Sequence, residues 1–222
     1  MGLTIDSLVV IRDCIPFKTV LSLAYPDIVV PQSVIKKLFG IEVETTTDHG
    51  AWHGVKYPLP ETMEFFERLG SKLTCVDIRP SRGVETVVDL NFPVTMGFFD
   101  LVIDSGTIEH CFHIGQALLN AAESVKPGGR IFHGTPMSMI NHGFYNVCPT
   151  LYWDFYTQNG WTVEQFYAID REGKFYDVPN AKRFQSVPEM VLYCLAKRPE
   201  DSPLKPLIIP VQEKYRVNPL LH

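Results

Sequence analysis

Residues 103–113 read I-D-S-G-T-I-E-H-C-F-H, which places Asp104, Glu109, His110, Cys111 and His113 within eleven positions. Each of these side chains can ligate a metal, move a proton or act as a nucleophile. The spacing decides among those chemistries only in part. The His110-x-x-His113 pair lacks a third ligand at zinc-site spacing, so no metal is assigned from it. General-base chemistry fits better, because an imidazole titrates near neutrality. His110 is a candidate base with Glu109 beside it, joined by His133 in G-R-I-F-H and His142 in N-H-G-F-Y. A structural reading stands against each: a histidine bonded to a loop carbonyl, and Thr107 or Glu109 capping a helix start. A second polar and aromatic cluster, Asp48, His49, Trp52 and His53, falls in the glycine-bearing segment 41–59. That segment is either a lid or a surface loop. The aromatic residues of 144–161 suit a core, with one or two free to line a pocket.

The elements that must position these residues are most legible in the middle of the chain. Short, β-branched or aromatic runs occur at 73–78, 84–90, 98–104 and 130–133, with further strand candidates at 161–169 and 190–196. Runs of this kind that do not alternate cleanly belong to strands buried on both faces of a parallel sheet. Helical patterns cover 60–69, 114–125 and 151–159, and the second ends at the strong stop Lys126-Pro-Gly-Gly129. Toward the amino end, V-L-S-L-A reads as a first strand turned by Tyr25-Pro26-Asp27, and 32–39 as a helix stopped by Gly40. Alternating strands and helices predict an α/β domain over residues 1–198. Residues 199–222 hold five prolines and no amphipathic period, and are expected to form an extended tail.

Composition excludes several classes. A 222-residue chain with 45% hydrophobic and 20% charged residues has the makeup of one ordinary globular domain. The net charge of −5, with no basic run at either end, argues against nucleic-acid and anionic-membrane partners. No apolar run reaches the length of a membrane span. The start, M-G-L-T-I-D-S, lacks the features of a secretory signal, and the cysteines (14, 75, 111, 148, 194) form no C-x-x-C pair. A cytoplasmic location is therefore expected. The G-x-S-x-G elbow of serine hydrolases is absent, as is the G-x-G-x-x-G turn of nicotinamide enzymes.

The order of these pieces carries a resemblance. A strand ending in Asp77, then V-V-D-L-N, then F-D-L-V-I-D-S-G-T-I-E-H, then a helix into V-K-P-G-G-R-I-F, resembles the class I S-adenosylmethionine-dependent methyltransferases over residues 70–135. The resemblance implies a Rossmann-like three-layer sandwich with a mainly parallel, roughly seven-stranded sheet. It implies S-adenosylmethionine as cofactor, with Asp77 and Ile78 at the ribose, Asp89 and Leu90 at the adenine, and Asp104, Ser105 and Gly106 along the carboxyl edge of the fourth strand. It implies methyl transfer to a small-molecule acceptor, such as a hydroxyl of a sugar or secondary metabolite, with His110, His142 and Glu109 as the catalytic candidates. The sequence departs from the family at one point. The first strand should run into a glycine-rich turn, and here it runs into L-A-Y-P-D. It also lies about fifty residues before Asp77, about twice the usual interval for one βαβ step. Segment 41–59 accounts for the extra length, and Gly50 and Gly54 could let it close over a ligand. The alternative expectation is a binding or scaffold protein that kept the fold and lost the cofactor. The tail is also a candidate contact for a homo-oligomer.

Overall fold

A computed structural model describes residues 2–47, 49–179, 183–202 and 207–216. In chain order the elements are α1 (Ile5–Asp13), β1 (Thr19–Leu23), α2 (Gln32–Phe39), β2 (Thr45–Thr46), β3 (Leu59–Pro60), α3 (Thr62–Arg68), β4 (Lys72–Asp77), β5 (Thr86–Val87) and β6 (Phe99–Asp104). They continue with α4 (Ile114–Glu123), β7 (Val125–Pro136), α5 (Pro149–Gln158), β8 (Thr162–Ile169), β9 (Phe175–Asp177), β10 (Val191–Lys197) and α6 (Glu213–Arg216). Two 3₁₀ turns, 50–53 and 108–110, interrupt the loops.

Among the described residues, eight strands form one sheet in the order β5-β4-β1-β6-β7-β10-β8-β9. The pairs β5/β4, β4/β1, β1/β6 and β6/β7 are parallel, and β10 runs antiparallel to both β7 and β8. The expected seven strands are present, and β9 adds a short antiparallel edge beside β8. The short runs become central strands because both of their faces are buried. Along β6, Leu101 and Ile103 join one core cluster while Val102 joins the other. Along β10, Leu192, Cys194 and Ala196 face the second cluster, and Tyr193 and Leu195 the first. This strict alternation follows from the two-residue period of a strand. Residues of α1, α2 and α3 fill one face and residues of α4 and α5 the other, which gives three layers.

Aromatic anchors fix the helices. Phe65 and Phe66 of α3 are fully buried, and Phe39 meets Phe65 edge-on at 4.9 Å. Tyr152, Phe155 and Tyr156 hold α5 against the sheet, each burial stabilising by about 2–3 kcal/mol. Segment 41–59 is more ordered than a plain loop, since β2 and β3 pair as an antiparallel ribbon around the 50–53 turn. Part of the tail docks on α5. The Asn159 side-chain amide exchanges hydrogen bonds with the Ile208 backbone at 2.8 and 3.1 Å, and Gln158 does the same with Val211 at 3.0 and 2.7 Å. Tail residues 203–206 and 217–222 lie outside the described residues. Among the described residues no helix is long and apolar enough to cross a membrane.

The chain leaves β1 for β4 and β5 on one side, then returns to place β6 on the other. Strand order therefore reverses beside β1, and the carboxyl ends of β1, β4 and β6 border the crevice where open α/β sheets bind ligands.

Candidate functional site

A cavity of about 220 Å³ occupies that crevice. Ala24 after β1, Asp77 and Ile78 at the end of β4, Asp89 and Leu90 after β5, and Gly106 after β6 line it, with His110 and Cys111 at its edge. Local turns position the two acids. Asp77 Oδ1 accepts the Arg79 amide at 2.9 Å, and Asp89 Oδ1 accepts the Asn91 amide at 2.9 Å and its side-chain Nδ2 at 2.7 Å. Such Asx-type bonds hold each carboxylate while engaging one of its two oxygens. Two left-handed backbone positions face the cavity, Gly106 at φ 81° and Ala24 at φ 67°. Ala24 stands at the end of the first strand, where the resemblance calls for glycine, and it adopts a conformation that glycine adopts without strain. The L-A-Y-P-D departure thus puts an alanine side chain at a left-handed position. Thr107 Oγ1 donates to the Leu23 carbonyl at 2.7 Å and ties the loops after β1 and β6 together.

Asp104 and Ser105, expected beside Gly106, point elsewhere. The Asp104 side chain is wholly buried. Its Oδ2 meets His133 Nδ1 at 2.7 Å, and its Oδ1 accepts the amides of Thr107 and Ile108 at 3.0 and 3.3 Å. Ser105 Oγ donates to the Gly2 carbonyl at 3.3 Å. His133 cannot face an acceptor as a base, because it too is wholly buried. His133 Nδ1 thus pairs with the Asp104 carboxylate, and Nε2 meets the Tyr156 hydroxyl at 2.6 Å. The imidazole stacks on Tyr152 with ring centroids 4.3 Å apart. This network is a structural pin under the site.

The three catalytic candidates do come together. Glu109 and His110 sit in the 108–110 turn, and the 138–147 loop brings His142 onto them. His142 Nε2 lies 3.5 Å and His110 Nε2 3.7 Å from Glu109 Oε1, and the imidazole centroids are 5.2 Å apart. Gly143 makes the approach possible. A Cβ there would lie 2.9 Å from the Glu109 carbonyl oxygen, 3.0 Å from its Cγ and 3.1 Å from His110 Nδ1. The Phe144 amide donates to the Glu109 carbonyl at 2.9 Å and locks the loop down. Burial, with the Asp104 charge added, pushes the Glu109 carboxyl up to about 8. Burial lowers both imidazoles below their ordinary value, for His110 with the neighbouring His142 contributing, so both are neutral near pH 7. His113 does not join them. Its amide donates to Asn91 Oδ1 at 2.9 Å at the start of α4.

Sequence reasoning missed Arg82, which links the 50–53 turn to the loop after β1. Its Nη2 pairs with Asp27 Oδ2, and His53 Nε2 reaches that oxygen at 2.9 Å. The guanidinium lies 4.6 Å from the centre of the Trp52 ring and 5.4 Å from that of Tyr25. The only signal was R-P-S-R-G immediately after a strand ending in an acid. Asp48 of the expected cluster lies outside the described residues. A more open cavity of about 760 Å³ lies at the opposite, amino-terminal edge of the sheet. Its two acids are already engaged, Asp100 with Lys126 Nζ at 2.8 Å and Thr19 Oγ1 at 2.9 Å and Glu200 with Lys197 Nζ at 3.4 Å, so the smaller crevice is the better site.

No family model matches the chain, and no curated protein matches it in sequence. Solved structures do match. One is the N-methyltransferase NodS from Bradyrhizobium japonicum WM9 in complex with S-adenosyl-L-homocysteine, with 13% identity over 87% of this chain and 85% of that one, and a TM-score of 0.51. Another is TehB from Haemophilus influenzae, with 11% identity, 87% of this chain and 62% of that one covered, and a TM-score of 0.51. Identity this low establishes shared architecture, and the chain has the Rossmann-like fold of the class I methyltransferases.

Proposed function

We propose that this protein transfers a methyl group from S-adenosylmethionine to a small-molecule acceptor, with a hydroxyl of a sugar or secondary metabolite as the acceptor class. The observation that carries the reading is the convergence of Asp77, Asp89 and Gly106 on one crevice at the carboxyl ends of β1, β4 and β6. These residues fit an adenosyl group. A carboxylate accepts the two hydroxyls of a ribose, which is the role of Asp77. Asp89 accepts an exocyclic amine, while Ile78, Val88 and Leu90 supply apolar walls for the adenine. Gly106 lets backbone approach the ligand closely. The likeness to a structure holding S-adenosyl-L-homocysteine supports the same choice of cofactor.

When bound, the sulfonium supplies an electrophilic methyl group for in-line displacement. The chain's own contribution is alignment and the exclusion of water, which account for much of such a barrier. His110, at the edge of the crevice, faces the acceptor with His142 and Glu109 behind it. Its imidazole, kept neutral by burial, offers a lone pair to an acceptor hydroxyl.

Titration with S-adenosylmethionine and S-adenosyl-L-homocysteine, followed by thermal shift and calorimetry, tests the reading. Both ligands should raise the melting temperature, because a ligand that binds only the native state stabilises it. Asp77→Ala should weaken binding at least tenfold. No stabilisation by either ligand would overturn the reading in favour of a non-catalytic scaffold, the reading that A-Y-P-D in place of a glycine turn favours.

A further inference from the structure

We propose that Glu109, His110 and His142 form a binding site for one divalent transition-metal ion at the edge of the donor crevice. The three side chains present their ligand atoms within 4.8 Å of one another. The Glu109 carboxylate is wholly shielded from solvent, yet neither of its oxygens has a hydrogen-bond partner, and His142 Nε2 has none either. A buried carboxyl with no hydrogen-bond partner for either oxygen is destabilising whether protonated or ionised, and a bound cation would supply the missing partner and favour the ionised form.

The spacing fits an ion better than it fits direct bonds. At 3.5 and 3.7 Å, the imidazole nitrogens stand at or beyond the limit of a useful hydrogen bond to Oε1. Ligands about 2.0–2.1 Å from a tetrahedral ion lie about 3.4 Å from one another, close to the two imidazole–carboxylate spacings here. The loop that carries His142 is set in advance. Met139 N donates to Asn146 Oδ1 at 2.6 Å and Tyr145 Oη to the Phe112 carbonyl at 2.8 Å. Asn141 holds a left-handed φ of 63°, and Gly143 leaves the contact with Glu109 and His110 free of a Cβ. Ion access remains, since the His110 and His142 side chains keep 47% and 29% of their surface exposed.

Two imidazoles and one carboxylate suit a borderline ion such as Zn²⁺, Fe²⁺ or Co²⁺ over Mg²⁺ or Ca²⁺, which prefer all-oxygen shells. Three protein ligands leave coordination positions open, as in catalytic sites. His110 also lines the crevice, so the open side adjoins the donor pocket. This last step alone rests on the methyl-transfer reading and takes the place of the lone-pair role of His110 there: the ion would orient the acceptor's oxygen and lower its proton affinity, so that its proton could pass to solvent.

Cobalt titration of the chelator-treated protein, followed by visible absorption and calorimetry, tests the site. One Co²⁺ per chain should bind, with a ligand-field spectrum of low coordination number, and Zn²⁺ but not Mg²⁺ should displace it. Glu109→Gln and His142→Ala should each weaken binding at least tenfold, while His113→Ala should not. His142 sits on a surface loop, so His142→Ala carries the test if Glu109→Gln fails to fold. No saturable signal, or equal affinity in the wild type and His142→Ala, would overturn the proposal. The titration needs no methyl donor, so its failure is separate from a failure of cofactor binding.

Discussion

The Asp104 carboxylate and the His133 imidazole meet at 2.7 Å across the paired strands β6 and β7, where the two residues are register partners and both are wholly buried. The same carboxylate holds the amides of Thr107 and Ile108, which lead directly into Glu109 and His110. A core pair therefore fixes the floor of the candidate site. His133→Phe would keep a ring against Tyr152 but leave Asp104 Oδ2 and the Tyr156 hydroxyl without their shared partner. The expected loss is about 3 kcal/mol in urea unfolding, as for other broken buried pairs. A loss below about 0.5 kcal/mol, the usual range for surface changes, would remove this pair from the account.

The two left-handed positions at the crevice respond in opposite directions. Ala24 pays about 1–2 kcal/mol for its φ of 67°, whereas glycine there would cost about 0.5–1 kcal/mol of chain entropy. Ala24→Gly should therefore be neutral or stabilising by up to about 1 kcal/mol. Gly106→Ala, at φ 81°, should destabilise by about 1 kcal/mol. Thermal unfolding of the two variants side by side checks the signs. Marked destabilisation by Ala24→Gly would mean that the alanine methyl makes a packing contact that outweighs its backbone strain.

At the opposite edge, Asp100 predicts a defined acid response. Burial pushes its carboxyl up, but Lys126, the amides of Thr19 and Lys18, and the Thr19 hydroxyl outweigh that and hold it at about 2, against an ordinary 3.8. A depressed carboxyl contributes stability above its unfolded value and loses it as the pH falls through its folded one. The contribution is thus complete above about pH 4 and gone by about pH 2. Because the pair is partly exposed, it is worth about 1 kcal/mol or less. Asp100→Asn should be less stable than the wild type at pH 7, with the gap closing between pH 4 and pH 2 in urea titrations. A gap independent of pH would mean that the hydrogen bonds matter and the charge does not.

The sequence by itself determined the sheet and the ends of its strands. Short apolar runs separated by helical periods leave few arrangements other than a mainly parallel sheet, and an acid closing such a run falls at the carboxyl edge whatever the distant contacts are. Asp77, Asp89 and Gly106 were legible for that reason. Tertiary structure alone decided which way side chains turn and which distant loops meet. Asp104 ends its strand as Asp77 does, yet pairing with β7 sets it beside His133, so its carboxylate enters the core. His142 lies far along the chain from Glu109, and only the docking of the 138–147 loop, permitted by the missing side chain of Gly143, brings its nitrogen to 3.5 Å from the carboxylate. The H-x-x-H spacing of His110 and His113 assigned no site, and His113 instead stands at the start of α4 with its amide on Asn91. Local spacing specifies the period of an element, while the meeting of loops depends on long-range packing that no period records.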